Sequence, residues 1–171
     1  MVEITVKRIL VLLTCLGILT TASLGGELAQ NIDPNGRTEL TLTKPGADVV
    51  RVSITQMKVG ESFPYKDALL WGGDVDELPK FVLSSVKVQE GSEPIFVPLS
   101  VYSDLGDVKL ASVNATKDGF VLNIHGGNTA SGYDAKLIFS QRYLVSRMVR
   151  LREFPEERVE KTTYSFPKGS Q

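Results

Sequence analysis

The chain has 171 residues, 42% hydrophobic and 23% charged, with 19 basic against 20 acidic side chains and a formal net charge of −1. That hydrophobic content excludes a disordered chain, and balanced charge excludes the basic footprint of a nucleic-acid binder. One cysteine and one histidine exclude an intrachain disulfide and the usual His/Cys zinc site.

Lys7 and Arg8 give the N-terminus its positive charge, Ile9 to Leu19 is apolar, and Thr20-Thr21-Ala22-Ser23 is small. This is the secretory leader pattern, and residues 1–25 are expected to form a helical, cleavable signal peptide. The apolar run is shorter than the ~20 residues a spanning helix needs, so no membrane span is expected in the mature chain. Leu12-Leu13-Thr14-Cys15 resembles a bacterial lipobox but carries Thr14 where that motif has Gly or Ala. Cys15 is therefore expected to leave with the leader. The remaining residues, 26–171, are expected to form one disulfide-free domain, secreted or periplasmic and bacterial, that depends on its core alone.

After a polar lead-in ending in Asp33-Pro34-Asn35-Gly36, the period of the sequence is two. Glu39 to Thr43 alternates, Lys44-Pro45-Gly46 breaks it, and Val50, Val52, Ile54 and Gln56 alternate in a second strand reaching Val59. Residues 61–80 do not fit and read as a long connection, with Tyr65 to Leu70 forming one or two helical turns. Phe81 to Gln89 is a strand, and Ile95 to Tyr102 reads as another, held to an edge or bulge by Pro98. Strands follow over Val108–Ala115 and Phe120–His125, joined at Asp118-Gly119, where a positive φ is expected. After the loop Gly126 to Gly132 come Tyr133–Phe139, Tyr143–Arg152 and Val159–Phe166. About eight strands at this spacing predict an all-β antiparallel β-sandwich, with a partly open β-barrel as the alternative.

Several residue groups suggest chemistry. Phe63, Tyr65 and Trp71 in the long connection offer aromatic surface for stacking on a ligand, unless they are buried beneath their own loop. Asn128, Ser131 and Tyr133 belong to the second candidate binding loop. Ala130-Ser131-Gly132-Tyr133 partly resembles the Ser-Gly-x-x-Tyr loop of periplasmic lysozyme inhibitors, small exported β proteins that insert this loop into the lysozyme cleft. The match covers Ser131 and Gly132; Tyr133 stands two positions early, and the cysteines of that family are missing. Asp74, Asp76 and Glu77 could supply oxygen ligands to calcium, but the rest of an EF-hand loop is lacking, so a solvated acidic loop is expected.

His125-Gly126-Gly127 resembles the oxyanion segment of esterases and lipases, although the Gly-x-Ser-x-Gly nucleophile elbow is absent. Arg142, Arg147, Arg150, Arg152, Arg158 and Lys161 alternate with glutamates and are expected to pair on a solvent face, or to bind an anionic glycan or acidic protein. The function expected from all this is non-catalytic: a small exported binding module that recognises a protein or glycan and needs no cofactor. The alternatives are a hydrolase using His125 with carboxylates such as Asp74 or Asp104, and a structural envelope protein.

Overall fold

A computed structural model describes residues 29–165, apart from 44–45, 61–69, 74–77, 141 and 158. The predicted leader, Phe63, Tyr65 and the acidic group Asp74, Asp76 and Glu77 lie outside the described residues.

The chain is all-β. In chain order the strands are β1 (Gln30–Asn31), β2 (Arg37–Leu42), β3 (Val50–Lys58), β4 (Phe81–Glu90), β5 (Glu93–Ile95), β6 (Val108–Ala115), β7 (Gly119–Gly126), β8 (Tyr133–Ser140), β9 (Tyr143–Leu151) and β10 (Val159–Thr163). They form two antiparallel sheets, ordered β1-β6-β7-β8-β9-β10 and β2-β3-β4-β5, and no closed barrel. Alternation sends Val50, Val52 and Ile54 of β3 inward to meet Phe120, Leu122 and Ile124 of β7 and Ala135, Leu137 and Phe139 of β8 in one core. Phe120 and Phe139 stack there with ring centroids 4.6 Å apart. Among the described residues no helix is long and apolar enough to cross a membrane.

Two local expectations are corrected. Ile95–Tyr102 is not a strand: β5 ends at Ile95, and Leu99–Val101 is a turn of 3-10 helix closed by Val101 N–H to Pro98 O at 3.0 Å. Pro98 has no N–H to give a ladder and stops the pairing. Gly119 is not in the left-handed region. Glycine is required because a Cβ would collide with the Phe139 carbonyl across the β7–β8 pair. Left-handed hairpin residues are instead Gly91, φ 63°, between β4 and β5, and Arg142, φ 68°, between β8 and β9.

Candidate functional site

Trp71 and Gly72 of the long connection meet the Gly126–Gly132 loop and the start of β8. Trp71 N–H donates to Asp104 O at 2.8 Å, and Gly106 N–H returns to Trp71 O at 2.9 Å, so residue 71 lies as a short parallel rail on 104–106. The Trp71 ring is buried and tilts against Tyr133 with centroids 6.0 Å apart. The Tyr133 hydroxyl donates to Gly106 O at 2.9 Å, and burial pushes its pKa well above the usual phenol value. Gly72 follows with φ +88°, its Cα so close to the Gly106 carbonyl that a side chain there would strike it.

The Gly126–Gly132 loop is tied to this rail. Gly127 N–H donates to Asp107 O at 3.1 Å. Asn128 Oδ1 accepts the N–H groups of Ala130 at 2.9 Å and Ser131 at 2.8 Å, an Asx turn that folds the loop back on itself. The Ser131 hydroxyl lies 3.2 Å from Gly72 O and 2.9 Å from Asn128 Oδ1, and can donate to either.

Beside this junction, between the ends of the two sheets, lies a cleft of about 660 Å³, lined by Gln56, Gly72, Lys80, Asp107, Lys109 and Asn128 among others. Its back wall is built from bulges. Register shifts between Thr55 and Gln56 in β3 and between Val108 and Leu110 in β6 interrupt the regular ladders here, with Val108 set opposite Gly126 of β7. Gln56 supplies both bonds from the opposite sheet: Nε2 donates to Val108 O and Oε1 accepts Val108 N–H, each at 3.1 Å. Asp107, held at φ 45°, accepts Phe81 N–H on Oδ1 at 2.9 Å. Replacing Gln56 by alanine orphans both groups of Val108, and equilibrium denaturation is expected to show a loss of about 1–3 kcal/mol.

Trp71 also joins a buried ionic network. Arg147 of β9 is 2% exposed and points inward. Its Nε donates to Val101 O at 2.9 Å, one amino group bonds Asp104 Oδ2 at 2.6 Å, and the other bonds Glu160 Oε1 of β10. Trp71 Nε1 donates to Glu160 Oε2 at 3.2 Å. Burial raises the Asp104 pKa, and the Arg147 charge and hydrogen bond offset only part of that rise. None of Arg147, Asp104 and Glu160 is among the residues lining the cleft.

His125 stands elsewhere. It projects from the outer face of the six-stranded sheet, where Nδ1 lies 2.7 Å from Asp134 Oδ1 on β8, and Arg152 Nε reaches the same oxygen at 3.2 Å. Burial works to raise the Asp134 pKa, but the hydrogen bonds and charges of His125 and Arg152 outweigh it and hold the carboxyl below its ordinary value. A carboxylate whose pKa is lowered on folding adds stability above its unfolded value, and that stability is lost as pH falls through the folded one. Asp134→Asn is therefore expected to flatten the loss of urea stability between about pH 5 and pH 2. An unchanged acid limb would contradict this pairing.

Of the residues singled out in the sequence, Trp71, Asn128, Ser131 and Tyr133 come together, while His125 is not among the cleft-lining residues. Trp71 and Tyr133 are buried, so the burial reading describes their rings, and of the four only Asn128 lines the cleft. The sequence suggests no role for Gln56, and Arg147, expected with the other cations on a solvent face, is instead buried; each occupies the inward register of its strand, alongside Ile54 and Val149 respectively. Among the described residues no group of three or more His, Cys, Asp or Glu side chains is placed to hold a metal ion. Comparison with protein-family models, curated proteins and solved structures returns no match.

Proposed function

We propose that this is an exported, non-catalytic β-sandwich binding module of a bacterial envelope or secretome, and that its protein or glycan ligand occupies the cleft beside the 126–132 loop. The supporting observation is the cleft itself. Its volume of about 660 Å³ falls in the range of ligand sites, roughly 300–1,000 Å³, and its wall is braced from both sheets by the Gln56 and Asp107 bonds. Ile32, Leu78 and Phe81 add apolar lining, and Lys80 and Lys109 add charge at its rim. The leader pattern supports export.

The hydrolase alternative keeps a His–carboxylate pair, His125 Nδ1 with Asp134, but neither residue is among those lining the cleft, and Asp104, a carboxylate named for that role, is engaged with Arg147. The test is affinity capture from an envelope extract by the mature protein. A variant carrying both Leu78→Ser and Lys109→Glu, two exposed cleft positions, is expected to lose the captured species. Undiminished capture by this variant would sink the cleft as the binding surface.

A further inference from the structure

We propose that the edge of β10 left without a strand partner among the described residues is a docking site for an extended, acidic segment of another protein, added as an antiparallel strand to the six-stranded sheet. This rests on a part of the molecule separate from the cleft and stands or falls independently of it.

The four sheet edges differ. β1 has two residues, β5 has three and contains Pro94, and β2 lies against β6. β10 has five residues and pairs with β9 on one side only. The Tyr164 N–H bond to Val145 O at 3.0 Å fixes which way its backbone faces. In an antiparallel pair the inward-bonding residues alternate, so Glu160, Thr162 and Tyr164 bond toward β9. Val159, Lys161 and Thr163 therefore turn their N–H and C=O groups outward, and these have no partner among the described residues. Such a row is a template for strand addition.

Side chains beside this edge specify what would fit. Register aligns Ser112, Asn123, Lys136, Met148 and Lys161 in one row across the outer face. The adjacent row ends Asp134, Arg150, Val159. The only carboxylate in these two rows is Asp134, already engaged by His125 and Arg152, while Lys136, Arg150 and Lys161 have no ion-pair partner among the described residues. A strand entering here meets Lys161 directly, with an acidic residue opposite it, and Arg150 stands one strand further in; an apolar residue two positions along meets Val159, which is 55% exposed. A second copy of the chain does not fit, since full overlap of two β10 strands sets Lys161 against Lys161.

The probes are two short synthetic peptides, followed by amide hydrogen exchange: one carries a glutamate and a valine two positions apart in a threonine background, so that both fall on one strand face, and the other has lysine in place of that glutamate. With saturating glutamate peptide, exchange at Lys161 and Thr163 is expected to slow about tenfold or more. Lys161→Glu is expected to weaken that binding about fivefold and to favour the lysine peptide instead. Thr163→Pro, which removes an outward N–H and no bond to β9, is expected to abolish it. Unprotected Lys161 and Thr163 amides, equal protection by both peptides, or protection that grows with protein concentration alone would each overturn the proposal. Lys161 is exposed, so its charge reversal remains a usable test if the proline variant fails to fold.

Discussion

Replacing Arg147 by alanine is expected to lower unfolding free energy by about 3–5 kcal/mol, the cost of breaking a buried ion pair from one side. The guanidinium is nearly sealed from water and joins three separate parts of the chain: the 99–104 turn through Val101 O and Asp104, β9 through its own backbone, and β10 through Glu160. Removing it leaves Asp104 partly buried with Oδ1 already unpartnered among the described residues, so protonation of Asp104 should follow at higher pH than before. Glu160→Gln makes the informative contrast. That side chain is 47% exposed, and its loss is expected to cost about 1 kcal/mol or less, as solvated pairs do. Equal effects of the two substitutions in urea denaturation would show that the network is not organised around Arg147.

Trp71→Ala is expected to cost about 3–5 kcal/mol, as large-to-alanine changes in closed cores do. Trp71 is 1% exposed, packs on Tyr133 and donates to Glu160, while its backbone carries the rail on which Gly72 stands. Trp71→Phe keeps the packing and gives up the indole hydrogen bond, so about 1 kcal/mol is expected from that loss. A ligand-stacking tryptophan would behave in the opposite way, losing binding while stability held. Denaturation followed by far-UV circular dichroism distinguishes the two, since the variants lack the chain's single tryptophan as a fluorescent probe.

Period-two alternation was sufficient to locate most strands, because inward and outward residues differ sharply in polarity where both sheet faces are regular. Val50, Val52 and Ile54 against Arg51 and Met57 show this in β3, where Ser53 is the exception. Legibility fails where a bulge shifts parity or where a polar residue takes an inward position. Gln56 and Arg147 both sit inward, yet their residue types read as solvent-facing until the partners are known: the Val108 peptide in one case, Asp104 and Glu160 in the other. Those partners lie far away in sequence, and nothing local announces them. The convergence of Trp71–Gly72 with the 126–132 loop is legible only as two separate irregular stretches, for the same reason. The basic run in the last third divides by strand parity, with Arg147 inward and Arg150 and Lys161 outward, so it is neither one ion-pair ladder nor one uniform patch.

The central claim is that the cleft between the sheet ends receives the ligand. Its most direct test is amide hydrogen exchange on the mature protein, alone and loaded with the species captured from envelope extract. Slowed exchange concentrated at Gly72, Gly73, Gly127, Asn128 and Lys109, with His125 and Asp134 unchanged, is the predicted result. Protection centred on the outer sheet face around His125 and Asp134, with the cleft amides unaffected, would contradict it.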